Sequence, residues 1–456
     1  MDLLKMKGPG SRKIEVNFEG GNVTSDGGLL LLKAVELKLG LLAKVAQVIA
    51  DPRNPDQINH SVHSMLCQRV FGLCLGYEDL VDHNSLRHDL GFQCAANRDE
   101  VLASPPTLCR MENWATRSVS WKIHEVIINQ FIASFEGIPS ELILDFDATD
   151  DRVHGKQNGS FFNGYYDDYI FLPLHVYCGD RLLVSYLRPG NADGALHSGA
   201  ILKLLVRKLR EAWPEVSIIF RADSGFCRSW LLSWCERNGV SYVVGLAKNS
   251  VLNRMSEHLA LKAQYAYKES ATKSRIINTF FYSARSWAAR RKVVARIECG
   301  EKGIDQRYIV TNIKGEGRWL YETLYCGRGD AENQIKETKN TLFSDRTSCV
   351  NWEANQFRVL LSTLSHTLLE HLRTHALSQP HPEFCEQSPG AEEIATPEDM
   401  EKSQARQPRW TFESIRLRLL KVGAVITRST RRIIFRLASG HPWQANFTIA
   451  LCKLTV

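Results

Sequence analysis

The chain has 456 residues, enough for two or three domains that each bury a hydrophobic core. Its hydrophobic share of 44% and charged share of 23% are those of an ordinary globular protein, and no apolar run approaches the length of a membrane span, which excludes a membrane-embedded chain. The net charge of +7 is compatible with a polyanionic partner, but it is too small for a chain of this length to identify one.

The cysteines and the N-terminus both indicate a cytosolic protein. The twelve cysteines contain no CxxC pair and are scattered, which predicts reduced, mostly buried thiols rather than a zinc site or a disulfide framework. The opening stretch MDLLKMKGPGSRK has no apolar core of a secretory signal.

Residues 1–138 are predicted to be mainly helical. Apolar residues recur at helix-compatible spacing in residues 29–35, 41–49 and 62–75, with polar breaks between these stretches. No helix-turn-helix signature stands out. We interpret the region either as a DNA-end-binding or dimerisation region or as a helical scaffold.

Residues 139–248 change to short apolar runs separated by turns. ELILDFD, SIIFRAD and SYVVGLA are predicted strands, a hairpin turns at Gly179-Asp180, and residues 195–213 and 230–238 are predicted helices. A three-strand meander followed by alternating helices and strands predicts an α/β fold with a ribonuclease H-like mixed sheet.

Residues 249–315 interrupt this pattern. Predicted strands at 276–283, 292–299 and 306–313 indicate a small inserted β-sheet. Predicted helices at 319–340 and 351–373 then form the second part of the mixed-sheet domain, which spans residues 316–375.

The C-terminal part of the chain is predicted to contain a linker and a basic segment. Residues 376–408 have few apolar side chains and several prolines, which predicts a disordered linker. Residues 409–456 are basic, and Glu413 is the only acid after residue 406. This segment either grips a polyanion such as DNA nonspecifically or docks on the core as an amphipathic helix through Ile415, Leu417, Leu419, Leu420 and Val422.

Two aspartates end predicted strands of the mixed sheet. Asp147 ends the first strand and Asp223 ends the strand SIIFRAD. A carboxylate in this position is held rigidly at the edge where open α/β sheets bind their ligands. If the two strands are neighbours, both carboxylates face one crevice.

One face of the predicted helix at 319–340 carries four residues suited to binding a phosphate or a metal ion: Tyr325, Arg328, Glu332 and Lys339. At about 100° per residue they fall within an arc of about 60°. Asp330 and Glu337 fall near the far side, so only Glu332 among these acids shares a face with the cations. We therefore take Glu332 as the third carboxylate.

Three carboxylates suit phosphoryl transfer, in which two divalent ions about 3.5–4 Å apart stabilise the attacking and the leaving oxygen. Mg²⁺ and Mn²⁺ prefer carboxylate oxygens. We predict that Asp147, Asp223 and Glu332 are catalytic and bind two such ions. Arg328 and Lys339 would hold the DNA backbone, Arg in a bidentate grip and Lys as a point charge.

The run Y-x(2)-R-x(3)-E-x(6)-K, formed by residues 325 to 339, resembles the signature of insertion-sequence DDE transposases related to the hairpin-forming cut-and-paste group. DATDDRVHG, FFNGYY, RADSGF and GLAKN resemble the subset called transposase DDE domain group 1. The resemblance covers roughly residues 10–375 and the basic tail. It implies a ribonuclease H-like catalytic domain with a β-rich insertion between the second aspartate and the glutamate.

The resemblance favours Asp147 as the first acid because Ala148-Thr149 follows it, as in the family motif. Asp145, on the same strand face, is a competitor, and Asp150 and Asp151 are lesser ones.

An aromatic residue of the insertion stacks on a flipped base in related hairpin-forming transposases, which makes Trp287 a candidate DNA-binding residue. Packing within the small sheet is the alternative role for Trp287. His154 and His175 have no partner at metal-ligand spacing, and Lys248 either touches a phosphate or is solvated.

The resemblance implies a DNA transposase that binds the terminal inverted repeats of its own insertion sequence, cleaves at the ends and joins the 3′-hydroxyls to target DNA. Its partners would be double-stranded DNA at both ends and at the target, and a second copy of the chain in the synaptic complex. It would act in the bacterial cytoplasm, associated with the nucleoid when on DNA. A stand-alone metal-dependent endonuclease and a catalytically inactive DNA-binding derivative of a transposase are the alternatives.

Overall fold

The computed structural model describes residues 4–153, 155–377 and 410–455. The chain forms two compact units, and neither is continuous in sequence. The first comprises Met1–Val119, Thr341–Phe343 and Leu364–Val456, and the second comprises Ser120–Asn340 and Ser344–Thr363. Nearly all of the predicted linker lies outside the described residues. Within the described ranges, no helix is both long and apolar enough to cross a membrane.

The N-terminal part of the first unit is mainly helical, as the apolar spacing predicts, and it follows a short hairpin of β1 (Leu4–Lys7) and β2 (Lys13–Val16). Helix α3 shows how local sequence sets the helix ends: the Ser61 hydroxyl accepts a hydrogen bond from the Ser64 amide at 3.1 Å, and Gly76 ends the helix at a φ of 93°. The helices are α1 (Leu29–Leu39), α2 (Leu41–Val48), α3 (Val62–Leu75), α4 (His83–Leu86), α5 (Leu90–Ala95), α6 (Pro105–Glu112) and α7 (Arg117–Ala133), the last continuing into the second unit.

The basic C-terminal segment belongs to the core of the first unit. It contains a helical turn (Phe412–Ile415), a π-helical turn (Arg416–Leu420), strands β15 (Ala424–Arg428) and β16 (Ile433–Leu437), and a helix (Gln444–Thr455). Strand β15 pairs with both β16 and β3 (Val23–Thr24). A Cβ atom on Gly28 would lie 2.2 Å from the carbonyl oxygen of Leu419, so this close approach requires glycine.

The docking alternative is therefore confirmed for the apolar side chains and wrong for the single helix, while nonspecific DNA binding by the basic side chains stays a prediction. Ile415, Leu419, Leu420 and Val422 are buried, whereas Leu417 is 60% exposed. A helix–turn–hairpin path lets the segment bury these residues while β15 adds to a sheet.

The second unit is built on one eight-stranded mixed sheet with the order β12-β13-β14-β11-β10-β4-β8-β9. Strands β4, β10 and β11 are parallel to one another, and every other neighbouring pair is antiparallel. The strands are β4 (Glu141–Ala148), β8 (Leu174–Cys178), β9 (Arg181–Tyr186), β10 (Ser217–Ala222), β11 (Ser241–Leu246), β12 (Ser274–Tyr282), β13 (Arg291–Gly300) and β14 (Gly303–Thr311).

The predicted small inserted sheet is not separate. Its three strands are present, but β14 pairs antiparallel with β11, with Val310 opposite Val244, and so extends the main sheet. Two helices that the sequence reading missed precede these strands, α10 (Ser250–Met255) and α11 (Glu257–Ser270). Apolar residues of β13 and β14, such as Val293 and Val310, therefore pack in the hydrophobic core of the eight-stranded sheet.

Helices cover both faces of this sheet. On one face, α8 (Ser198–Ala212) and α9 (Ser229–Arg237) pack on β4 and β10, where the rings of Phe146 and Phe220 are 5.0 Å apart. On the other face, a π-helical turn (Trp319–Tyr325) packs on β10 and β11 through Leu320 and Leu324. A separate three-stranded sheet has the order β5 (Asp151–Arg152), β7 (Asp168–Phe171), β6 (Phe161–Asn163).

The helix predicted at 319–340 is interrupted. The π-helical turn ends at Tyr325, and α12 (Arg328–Leu342) begins after Cys326 and Gly327. A Cβ atom on Gly327 would lie 2.7 Å from the Arg221 guanidinium, so glycine lets the chain pass close to β10 at the break. The next helix, α13 (Trp352–His371), ends in a further π-helical turn (Leu372–Ala376).

Candidate active site

The two strand-end aspartates lie side by side. Strand β10 pairs in parallel with β4, and the last pairs are Arg221 with Asp145 and Ala222 with Phe146. Asp147 and Asp223 are the next residues on the two strands, so both follow the same register at the carboxyl edge of the sheet. This confirms the neighbouring-strand condition on which the shared crevice depended.

Arg328 connects this edge to α12. One guanidinium nitrogen, Nη1, donates a hydrogen bond to Oδ2 of Asp147 at 3.1 Å, and Nη2 donates to Oε1 of Glu332, one turn further along the helix. The side chains of Asp147 and Arg328 are largely buried, while that of Glu332 is half exposed. Glu332 and Asp147 therefore bind the same guanidinium group, that of Arg328.

Titration behaviour ties the three carboxylates to one electrostatic environment. Burial raises the pKa of Asp147 to about 7; the charge of Arg328 opposes this rise, and those of Asp223 and Glu332 add to it. Burial lowers the pKa of Arg328, but the charges of Asp147, Glu332 and Asp223 raise it above its ordinary value overall. The charges of Asp223 and Glu332 therefore act on the ionisation of both Asp147 and Arg328.

A cleft of about 310 Å³ opens beside these residues. It is lined by Asp147, Ala148, Thr149, Glu332, Ile335, Lys336, Lys339 and Asn340. Lys336 was missed in the sequence, although it lies one helical turn after Glu332 and its spacing could have identified it. The cleft is thus lined by the carboxylates of Asp147 on β4 and Glu332 on α12, and by two lysines of α12, a combination suited to a phosphate and its counterions.

The alternative first acids are engaged elsewhere. Asp145 accepts two hydrogen bonds from the Arg221 guanidinium, at 2.5 and 2.7 Å, so both of its oxygens are occupied. Asp150 accepts from Lys339 Nζ at 3.0 Å. Asp151 is fully buried and accepts from the Thr347 hydroxyl at 2.7 Å. These contacts favour Asp147 as the first acid, and its role as a metal ligand stays a prediction.

The three carboxylates have the chemistry that a hard divalent cation requires, but their oxygens do not converge on one point. Carboxylate oxygens from two strand ends and a helix are the ligands that Mg²⁺ and Mn²⁺ prefer. Within the described ranges, no three His, Cys, Asp or Glu side chains converge into a metal-binding group. The guanidinium of Arg328 lies between Asp147 and Glu332, which explains how the carboxylates share a site without converging.

The remaining residues of the predicted stripe are distributed around this centre. Tyr325 belongs to the π-helical turn, before the break, and a Cβ atom on Gly245 would lie 2.8 Å from its hydroxyl oxygen. Burial raises the pKa of Tyr325. Lys339 lines the cleft and binds the carbonyl oxygen of Asp150 at 2.8 Å.

Trp287 contacts residues of the main sheet and does not contact Asp147, Asp223 or Glu332 in the described structure. Its ring makes an edge contact with Tyr282, with centroids 5.4 Å apart, and the Arg291 guanidinium lies 5.0 Å from its centroid. It also packs against the main core. These contacts support the packing role.

His175, Lys248 and His154 were the remaining candidates for metal or phosphate binding. His175 is buried, lies 3.0 Å from the Ser185 hydroxyl, and has its pKa lowered to about 3 by burial, so it is a neutral structural residue. Lys248 is exposed. His154 lies outside the described residues.

The sequence model of one family, described as transposase DDE domain group 1, matches residues 7–385 and 398–456. The chain belongs to this family. It is therefore a transposase of the DDE class, an enzyme class that cleaves and transfers DNA. No curated protein matches this transposase significantly. Among solved structures, it is similar to a piggyBac transposase, determined by cryo-electron microscopy as a synaptic complex with hairpin DNA, at 12% identity and a TM-score of 0.38, over 86% of this chain and 92% of that one.

Proposed function

We propose that this transposase binds the terminal inverted repeats of an insertion sequence, cleaves at the element ends and joins the 3′-hydroxyls to target DNA. The observation that carries the proposal is the alignment of Asp147 and Asp223 on adjacent parallel strands, with Glu332 linked to Asp147 through Arg328. Hydrolysis and strand transfer would use the same residues because only the nucleophile changes.

Asp147, Asp223 and Glu332 would hold two Mg²⁺ or Mn²⁺ ions, which supply charge stabilisation for the attacking and leaving oxygens. Lys336 and Lys339, on the wall of the cleft, would hold the phosphate backbone next to the carboxylates. With Asp147 and Glu332 engaged as metal ligands, the guanidinium of Arg328 would be available to hold a phosphate.

The strand order supports a ribonuclease H-like catalytic core. The run β9-β8-β4-β10-β11 contains a three-strand antiparallel meander followed by two further strands parallel to β4. We assign the first unit to DNA-end binding or dimerisation, and we expect a homodimer in the complex because two element ends must be brought together.

The test is an assay of end cleavage and strand joining in Mg²⁺ or Mn²⁺ with a duplex carrying the element's terminal repeat. Glu332→Gln should abolish both steps, whereas Asp330→Asn, two residues earlier on the same helix, should leave them close to the native level. Cleavage without joined target DNA would favour the stand-alone endonuclease. Absence of cleavage in the native protein would favour the inactive DNA-binding derivative.

A further inference from the structure

A second cleft, of about 500 Å³, lies at the end of the sheet opposite the carboxylates. Its walls include the start of β13 and the end of β14, where Lys292 pairs with Thr311. Thr311 in turn pairs with Val243, towards the amino end of β11, while Asp147 and Asp223 lie at the carboxyl ends of the parallel strands. The proposed catalytic site does not use this cleft.

The cleft carries an excess of positive charge. Its single acid, Glu236, accepts two hydrogen bonds from Arg291, at 2.7 and 3.0 Å, and one from the Tyr242 hydroxyl at 2.8 Å. Three further cations line the cleft, Arg290, Lys292 and Lys314. Among the described residues, no carboxylate forms an ion pair with any of these three.

The neutral partners of these cations leave their charge uncompensated. The ammonium of Lys292 donates to the carbonyl oxygen of Gly315 at 2.7 Å, and the guanidinium of Arg290 lies 3.5 Å from the carbonyl oxygen of Phe281. Burial lowers the pKa of Lys292, as expected for an ammonium group that lacks a negative partner. An anion in the cleft would supply that partner.

Two exposed aromatic side chains flank the same cleft. Phe281 on β12 is 57% exposed and pairs with Lys292 on β13, so the two side chains lie on the same face of the sheet. Trp319 is 45% exposed, and a Cβ atom on Gly315, a lining residue, would lie 3.5 Å from its ring. In the described part of the chain, the cleft therefore offers exposed aromatic rings and cations without a carboxylate partner side by side.

We propose that this cleft binds a single-stranded segment of DNA, with Phe281 and Trp319 stacking on unpaired bases and Arg290, Lys292 and Lys314 binding the phosphates. Cations that follow the backbone and aromatic rings that accept any base are the two components of sequence-independent single-strand binding. Duplex DNA satisfies only the first, because its bases are stacked inside the helix. The proposal rests on DNA being the substrate of the proposed function and is independent of the carboxylate chemistry.

The test measures binding of a fluorescent ten-nucleotide oligothymidine to the full-length protein by anisotropy, in EDTA, over a range of salt concentrations. Phe281→Ala and Trp319→Ala should each weaken binding about 5- to 150-fold without changing its salt dependence. The double variant Arg290→Ala/Lys314→Ala should reduce the slope of log K against log salt by about 1.4. All four side chains are exposed or partly exposed, so their removal leaves the core intact.

Matched controls on α11 are Tyr265→Ala, an exposed aromatic outside the cleft, and Lys262→Ala/Lys268→Ala, which removes the same charge; both should bind as the native protein does. Native-like binding by the cleft variants would overturn the proposal. So would a Phe281→Ala variant that weakens binding of a ten-base-pair duplex as much as that of the single strand. Because EDTA removes divalent ions, failure of this site is distinguishable from failure of the cleavage chemistry.

Discussion

Arg328 donates a hydrogen bond to Asp147 at 3.1 Å, and through its second nitrogen it also binds Glu332. One side chain therefore neutralises two of the three carboxylates proposed to hold divalent cations. A guanidinium between two carboxylates repels an incoming divalent ion by several kcal/mol at the short distances involved.

Replacing Arg328 by Ala should therefore raise the affinity of the DNA-free protein for Mn²⁺ by about tenfold or more, because the repulsion is removed. Titration calorimetry of Mn²⁺ measures this effect. Arg318→Ala, an exposed arginine paired with Glu322, is the control and should leave the affinity unchanged. Mn²⁺ binding equal in the native protein and Arg328→Ala would contradict a competition between the guanidinium and the metal.

Asp151 should make the stability of the transposase fall as pH rises. Burial raises its pKa to about 8, above the ordinary value of 3.8, so the folded protein keeps the group neutral where the unfolded chain ionises it. Its stabilising contribution is complete below pH 3.8 and declines by about 1.4 kcal/mol per pH unit up to about pH 8.

Asp151→Asn should remove this slope because an amide does not ionise and its oxygen can still accept from Thr347. Melting temperatures of the two proteins from pH 5 to 9 should diverge, with the variant increasingly more stable than the native protein. Asp168→Asn, on the neighbouring strand β7, is the control and should follow the native curve. Parallel curves for Asp151→Asn and the native protein would show that Asp151 ionises normally in the folded state.

The buried ion pair between Arg69 and Glu112 should be sensitive to the loss of one partner. Arg69 Nε donates to Glu112 Oε1 at 2.9 Å, and both side chains are almost completely buried. Glu112→Ala should cost about 3–5 kcal/mol of unfolding free energy because it leaves the guanidinium buried without its counterion. Denaturant unfolding of the first unit measures the loss, and the double variant Arg69→Met/Glu112→Leu should recover much of it. A double variant less stable than Glu112→Ala would contradict this account.

Gly28→Ala should loosen the attachment of the C-terminal segment. The added methyl group would lie 2.2 Å from the Leu419 carbonyl oxygen and 2.3 Å from the Leu420 Cα, both backbone atoms that cannot move independently. Overpacking of this kind costs about 1–3 kcal/mol or more. Proteolysis after residue 409 should accelerate in Gly28→Ala but not in Gly423→Ala, whose added methyl group would meet no atom within 4 Å. Equal cleavage of both variants would argue against the close packing at Gly28.

The strands that carry the aspartates could be predicted from the sequence because each is a short apolar run that ends in an acid. Residues 141–147 and 217–223 each combine the pattern of a buried strand with an acid at its end, so neither prediction needed a partner segment. Glu332 could be selected because helical spacing placed it on the same face as Arg328, and the structure joins these two residues. The roles of the three acids as metal ligands remain a prediction.

The features that could not be predicted depend on contacts between distant segments. The sequence of an apolar strand does not specify which strand pairs with it. The pairing of β14 with β11, which joins the predicted insertion to the main sheet, could therefore not be predicted from either strand. The helix break at Cys326 and Gly327 lies against the Arg221 side chain from another strand. Arg221 also binds both oxygens of Asp145, a contact that the sequence did not show and that favours Asp147 as the first acid.

The pairing of β15 with β3 brings the last described part of the chain against the first. During synthesis on the ribosome, the strands and helices at residues 120–340 emerge early enough to pair with one another, whereas α1 and β3 must wait until residues 412–428 leave the exit tunnel. Until then, Leu29, Leu31 and Leu32 cannot pack against the C-terminal segment that approaches Gly28. A message truncated after the carboxylate-bearing segments would therefore yield a polypeptide with an unfinished first unit, a substrate for chaperones and proteases rather than a shortened enzyme.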